Sequence, residues 1–417
     1  MVLLALALLH VYLWARLVRA TTRPGRVRRR LTVLLAVLAA LPVAALMLRR
    51  TLPLDAAAPL DWVAYTWLGV AFYLFLTLLV LEPVRLSFRR WVRRSPPAAA
   101  GSAVEPDAAG SAAELDAAGS AAEPDAAGSA AAPVVDPTRR LFLARSLAVT
   151  AGAVALGTAG TGAYFANAAP VVRRVPITLQ RLDPALDGLR IVTFSDGHLS
   201  ATYGGRRFER LVEIVNEQRP DVVAIVGDLV DGDVDELAGD AAPLADLVSE
   251  QGVFFVTGNH EYFVDTTAWL RHLPTLGVEV LRNERVPIRR GTASFDLAGI
   301  DDRTAADSGL AGHGADLDAA LDGRDDAVPV VLLAHQPVQV DQARAAGVDL
   351  QLSGHTHGGQ LWPFDYAIRL DQPATEGLSR HGDTQLYVTS GAGYWGPPMR
   401  IGARPEVTVV ELRAPRG

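Results

Sequence analysis

Residues 354–360 read GHTHGGQ, which places His355 and His357 two positions apart in a chain with nine histidines. In an extended segment residues i and i+2 point to the same side, so the two imidazoles can be aimed at one spot. The flanking glycines let the backbone turn tightly and let another group approach where a Cβ would collide. Two convergent imidazoles suit a metal ion, whereas a polar loop with two solvated histidines is the ordinary alternative. Partners elsewhere in the chain decide between them. SDGH offers Asp196 and His198, GDLVDG offers Asp228, GNHE offers Asn259 and His260, and AHQP offers His335. Eight histidines follow the first apolar segment, and of these only His272, His313 and His381 fall outside the motifs. Each motif alone is a common strand terminus; all of them together are not a common coincidence. Carboxylate, imidazole and carboxamide donors without sulfur suit Mn, Fe, Zn or ions of similar hardness.

To bring such residues together, each motif must close an element. From about residue 171, LRIVTFSD and DVVAIVGD read as buried strands, with FERLVEIVNEQ as an amphipathic helix between them. GVFFVTGN, AVPVVLLAH and VDLQLSGH repeat the design of an apolar run with a polar end, and TQLYVTSG and EVTVVELR close the region. The alternation predicts an α/β body over 171–417, whose ligand site lies at the carboxyl ends of the strands.

The N-terminal third follows different physics. Residues 1–15, 31–48 and 62–81 each approach the ~20 apolar residues that cross a bilayer, and 146–166 is a weaker fourth stretch built from small residues. The first is short and carries His10, so it is either a span or an uncleaved signal-like segment. Loops rich in arginine stay cytoplasmic. Seven arginines occupy 16–30 and five occupy 85–94, against only Arg49 and Arg50 between the second and third spans. This bias predicts a multi-pass protein of the cytoplasmic membrane with its α/β domain on the extracytoplasmic side. Between the third and fourth stretches, a nonapeptide repeat (GSAVEPDAA, GSAAELDAA, GSAAEPDAA, GSAAAPVVD) covers 101–136. Its composition cannot bury a core, so it reads as a linker. TRRLFL at 138–143, with ANA at 166–168, resembles a twin-arginine export signal with an A-x-A-like cleavage site. Paired arginines at the cytoplasmic end of a membrane helix are the alternative. The expected organisation is therefore 1–94 as a membrane region with three transmembrane helices and 95–137 as linker, then 138–170 as signal or fourth helix and 171–417 as the α/β domain.

Composition excludes several classes. Residues 146–417 hold 22 arginines against 36 acidic residues, a net charge that repels a long nucleic acid. The chain has no cysteine and no lysine, which removes thiolate metal sites, Cys nucleophiles and a P-loop with its Lys. No G-x-S-x-G elbow occurs. The spans carry little polar equipment for a transport path.

Taken in order, SDGH, GDLVD, GNHE, AHQP and GHTHGGQ over 190–412 resemble the calcineurin-like metallophosphoesterase superfamily, closest to its membrane-attached or exported, YkuE-like branch. The resemblance implies a two-sheet β-sandwich flanked by helices, here preceded by an α-helical membrane region. It also implies two divalent or mixed-valence metal ions. Asp196, His198, Asp228 and His357 would hold the first; Asp228, Asn259, His335 and His355 would hold the second, with Asp228 bridging. His260 matches the family's non-ligand histidine, expected to protonate the leaving oxygen or stabilise its charge. Gly197 departs from the family's bulky apolar residue, which puts local rigidity in doubt but leaves the ligands intact.

The chemistry explains the requirement. A phosphodiester is anionic and resists hydroxide, and a pair of cations both neutralises it and lowers the pKa of a bound water toward ~7. The expected activity is hydrolysis of phosphate esters, diesters preferred, by attack of that hydroxide. A phosphomonoesterase and a non-catalytic metal-binding sensor or scaffold are the alternatives. Lipid head groups or cell-envelope phosphates are the expected substrates beside a membrane. Asp231 and Glu261 read as groups that orient the imidazoles or as plain turn carboxylates. In GAGYWGPPMRIG, Arg400 could meet a phosphate, while Tyr394, Trp395 and Met399 read as core or as a substrate-facing lip.

Overall fold

A computed structural model describes residues 2–49, 51–88, 93–94, 134–135 and 137–416. Residues 95–133 and 136, nearly all of the repeat and of the linker expected over 95–137, lie outside the described residues. Runs of leucine and alanine, both strong helix formers, build α1 (Val2–Leu13), α2 (Arg26–Leu48), α3 (Leu54–Val80) and α4 (Pro137–Asn167). Three of these, α2, α3 and α4, are long and apolar enough to cross a membrane. Of the spans expected in 1–94, α1 differs: it has 12 residues and continues as a wider turn, Trp14–Arg19. The small residues of α4 have a packing reason. Ala151 and Ala155 are fully buried against Ala71, Leu74 and Leu78 of α3, and small side chains let helices approach closely.

The arginine-rich segments gather at one end of this bundle. Arg145 Nε donates to the Thr21 carbonyl at 3.1 Å, and Arg16 Nε lies 2.7 Å from Glu82. The bundle meets the α/β body at the opposite end and, through Tyr73, along the flank of α3. Arg49 donates to the Asp231 carbonyl at 2.6 Å, Tyr73 Oη to the Trp362 carbonyl at 2.9 Å, and the Arg400 N–H to the Gly162 carbonyl at 2.9 Å.

The body contains β1 (Val171–Thr178), β2 (Arg190–Phe194), β3 (Val222–Val226), β4 (Val253–Val256), β5 (Val278–Val280) and β6 (Glu284–Arg290). It continues with β7 (Ala293–Gly299), β8 (Val330–Leu333), β9 (Leu350–Ser353), β10 (Gly377–His381), β11 (Thr384–Val388) and β12 (Glu406–Arg413). They form two mixed six-stranded sheets, ordered β1-β12-β2-β3-β4-β5 and β10-β11-β9-β8-β7-β6. Strands β2, β3 and β4 are parallel to one another, as are β7, β8, β9 and β11. Alternate residues serve different cores, as the period of two requires. Ile191, Val222, Ala224 and Val226 meet Phe295, Leu297, Val331 and Leu350 between the sheets. Their neighbours Val192, Phe194, Val223 and Ile225 pack under Phe208, Leu211 and Val215 of helix α5 (Arg206–Glu217). The outer face of the second sheet, with Ala298 and Leu332, is covered by Ala320 and Ala343. Two-sided burial explains why these strands read as unbroken apolar runs. The two-sheet α/β sandwich expected from the sequence is the observed architecture, and the parallel strands bring five motif-bearing ends to one edge of it.

Candidate metal centre

Each motif starts where its strand stops. Asp196 and His198 follow β2, Asp228 follows β3, Asn259 and His260 follow β4, His335 follows β8, and His355 and His357 follow β9. The two sheets therefore contribute to one site. Asp196, His198 and His357 place ligand atoms within 4.8 Å of one another, and Asp228, His335 and His355 do the same. Asp228 Oδ2 stands between the groups, 3.1 Å from His335 Nε2 and 3.9 Å from His198 Nε2. Asp196 Oδ1 is 3.3 Å from His357 Nε2 and 3.9 Å from His198 Nε2.

The backbone at these residues is bent in an uncommon way. Among the described residues, eight that are not glycine have positive φ, and five of them are Asp196 (55°), His198 (47°), Asp228 (53°), His355 (71°) and His357 (52°). Positive φ outside glycine costs energy and gathers where function overrides it. Backbone bonds hold the bends: Asp196 N–H donates to Gly227 O at 3.0 Å and His198 N–H to Asp228 O at 3.1 Å. Glycines supply the space. A Cβ on Gly354 would stand 2.0 Å from Ser195 Oγ and 2.5 Å from Asp196 Oδ2, and one on Gly258 would stand 2.2 Å from Asp228 Oδ1. Gly197, where the sequence put local rigidity in doubt, is closely surrounded. Its position is backed by the Leu229 carbonyl, 3.3 Å from where a Cβ would sit, and its own carbonyl would lie 2.2 Å from a Cβ on Gly393.

Asp231 aligns two imidazoles: its Oδ1 is 3.0 Å from His198 Nδ1 and 2.6 Å from His260 Nδ1. Glu261 does something else. Fully buried, its carboxylate accepts the N–H groups of Asp228 (2.9 Å), Leu229 (2.8 Å) and Gly258 (2.6 Å), so it ties two ligand loops together through their backbones and orients no imidazole. Arg400 also departs from expectation. It is 0% exposed, and its guanidinium donates to the carbonyls of His357 and Ser390 at 2.7 Å each and Gly393 at 2.9 Å. Those donors brace the histidine loop from behind, so they do not face a substrate phosphate. Tyr394 and Met399 are core, whereas Trp395 is 54% exposed. His313 bonds Tyr262 Oη and His381 bonds Ser379 Oγ; neither joins the cluster, and His272 packs against Trp269. Sequence reasoning missed Arg49, which reaches Asp231 from the membrane region and has no local motif to mark it.

The donors fit metal ions. Asn259 Oδ1 and His335 Nε2 are buried without a hydrogen-bond partner, a costly state that a cation would relieve. His335 Nδ1 donates to the Val226 carbonyl at 2.7 Å, which leaves Nε2, 3.1 Å from Asp228 Oδ2, as the ring nitrogen open to an ion. His198 and His357 face each other through Nε2 atoms 3.0 Å apart, an arrangement that calls for a proton or a cation at the nitrogens. Burial, followed by neighbouring positive charge, pushes His355 down to about 4 and holds His357 well below its usual value, which keeps both neutral. Burial opposes ionisation of Asp228, but His335, His260 and His198 hold it well below the usual carboxylate range. For His260, burial is outweighed by Asp228 and Asp231, and its pKa rises to about 9.

Residues 189–359 match the family described as calcineurin-like phosphoesterase. A transmembrane protein with a metallophosphoesterase domain from Danio rerio is 43% identical over 251 residues, a match covering 58% of this chain. The chain spans 57% of that relative's length. An uncharacterized metallophosphoesterase of Helicobacter pylori is 37% identical, with 66% of this chain and 73% of the relative covered. The uncharacterized metallophosphoesterase YkuE of Bacillus subtilis is 32% identical, with 55% and 80% covered.

Proposed function

Because the chain belongs to the calcineurin-like metallophosphoesterase family, we propose that it is a membrane-associated, metal-dependent hydrolase of phosphate esters that prefers diesters and works on the extracytoplasmic side. Asp196, His198, Asp228 and His357 would hold one ion, and Asp228, Asn259, His335 and His355 a second. The position of Asp228 Oδ2 between the two ligand groups is the observation that carries this reading. The bound ions would neutralise the phosphoryl oxygens and make a water acidic enough to act as nucleophile near neutral pH. Asp231 fixes the ring orientations of His198 and His260. His260, 12% exposed at the edge of the cluster, donates a hydrogen bond or a proton to the departing oxygen as the bond from phosphorus to that oxygen breaks. The water oxygen takes its place on phosphorus, giving a phosphomonoester and an alcohol.

Charge supports the extracytoplasmic side. The arginine-poor α2–α3 connection and the end of α4 share the side of the α/β body, and the arginine-rich segments lie at the far end. In this reading α4 is a retained anchor, supported by its close packing on α3, and 171–417 is the catalytic domain. The test uses the full chain in detergent with bis(p-nitrophenyl) phosphate. Turnover should require Mn or a similar ion, stop on chelation, and fall at least a hundredfold in His260→Ala. Tight metal binding with no turnover of any phosphate ester would instead make the domain a metal-dependent scaffold.

A further inference from the structure

The cleft beside His260 has a wall that the catalytic body does not supply. It encloses about 980 Å³, within the range of small-molecule sites, and Leu46, Leu52 and Leu54 of the α2–α3 hairpin line it together with Asp231 and His260. The hairpin is fastened there. Arg49 donates to the Asp231 carbonyl at 2.6 Å and lies 3.8 Å from its carboxylate, and Leu54 packs on the core under the first sheet.

We infer that this site takes an amphiphilic phosphodiester presented by a lipid bilayer, with the phosphoryl group among the candidate metal ligands and the apolar chain along the α2–α3 hairpin. The inference rests on the phosphoesterase reading above and adds the substrate class. Continuity is the first argument: the same cleft touches His260 and the apolar end of α2, where Leu46 is 55% exposed on a helix able to cross a membrane. An acyl or alkyl chain can thus enter from the side without leaving an apolar surface. Second, His260 lies against two aromatic rings, Phe263 at 5.1 Å and Trp395 at 5.5 Å between centroids. These rings are 70% and 54% exposed, apolar area that a small water-soluble ester would leave wet and a chain would cover. Third, Asp61 of α3 lines the cleft while only 4% exposed, and its Oδ1 has no hydrogen-bond partner. A buried carboxylate oxygen without a partner is costly, and a head-group hydroxyl or ammonium donor satisfies it. Arg49 is the one guanidinium lining the cleft among the described residues, and it is engaged with Asp231, so the cleft offers little to a second phosphate.

The experiment uses the full chain in lipid nanodiscs with Mn and a series of p-nitrophenyl alkyl phosphates that differ only in chain length. We expect kcat/KM to rise at least tenfold from the methyl to the octyl ester, chiefly through KM. Leu52→Asp and the more exposed Phe263→Ser should each cut the octyl-to-methyl ratio at least threefold. Asp61→Ala should lower turnover of phosphatidylglycerol more than that of the octyl ester, which carries no head-group donor. A ratio near one in the native protein, or a ratio that neither Leu52→Asp nor Phe263→Ser changes, overturns the inference; the second result would mean that partition into lipid alone concentrates the long-chain probe. No hydrolysis of any ester with metal present overturns the phosphoesterase reading as well, whereas chain-independent hydrolysis overturns only the substrate assignment.

Discussion

Replacing Asp231 by asparagine isolates what its charge does, because the amide keeps the size of the side chain and one oxygen acceptor. In the native protein the Asp231 carboxylate meets His198 Nδ1 at 3.0 Å and His260 Nδ1 at 2.6 Å. A hydrogen bond to a charged acceptor contributes about 1.5–3 kcal/mol against about 0.5–1.5 for a neutral one, so each contact should weaken by about 1–1.5 kcal/mol. The two losses read out separately. His198 is a candidate ligand, and a loss of that size at 1.4 kcal/mol per tenfold lowers affinity for the ion about fivefold to tenfold, near the lower end of the usual 10–100-fold effect of groups behind metal-binding histidines. His260 is not a candidate ligand, so its loss should appear as a further fivefold to tenfold fall in kcat at saturating metal. The assay titrates Mn against a competing chelator and then measures steady-state turnover with Mn in excess. Asp231→Ala, which removes both acceptors, should exceed Asp231→Asn on both measures. Unchanged affinity and unchanged kcat in Asp231→Asn would refute the idea that this carboxylate orients the two rings.

Two further substitutions probe the scaffold. Gly354→Ala places a methyl 2.0 Å from Ser195 Oγ and should force Ser195 off its 2.6 Å bond to the Val226 carbonyl. A thermal melt should show a loss of about 1–3 kcal/mol, the usual cost of overpacking, and the chelator titration should show at least a tenfold loss of Mn affinity. Arg400→Met leaves the buried carbonyls of His357, Ser390 and Gly393 without their donor. At about 1–3 kcal/mol per orphaned group the loss should be large, seen as a markedly lower melting midpoint, and Arg400→Lys should restore little because an ammonium cannot span three acceptors with the planar fork.

The residues that could hold metal were legible because they combine rare types with repeated positions. Aspartate, asparagine or histidine directly after an apolar run stands at a strand end whatever the order of strands in the sheet. The strands themselves were legible because, covered on both faces, they read as unbroken apolar runs. Roles set by long-range contacts were not. Glu261 and Asp231 are both carboxylates in turns, and only the fold shows that one binds four backbone N–H groups while the other binds two imidazoles. Arg400 looked available to a phosphate because sequence carries no record of burial. The small-residue stretch of α4 looked weak as a span because hydropathy counts side-chain size, whereas packing against α3 rewards its absence.

By itself, the order of residues determined the chemical inventory: seven nitrogen and oxygen donors at strand termini, no sulfur, and apolar stretches that call for lipid. Tertiary structure decided which candidate donors lie together, since that depends on two sheets ending at one edge, and it decided that the α2–α3 hairpin forms a wall of the cleft. Local pattern fixes what a side chain can do within a few residues of itself. Distances between segments as remote as Arg49 and Asp231 are set only when the whole core packs.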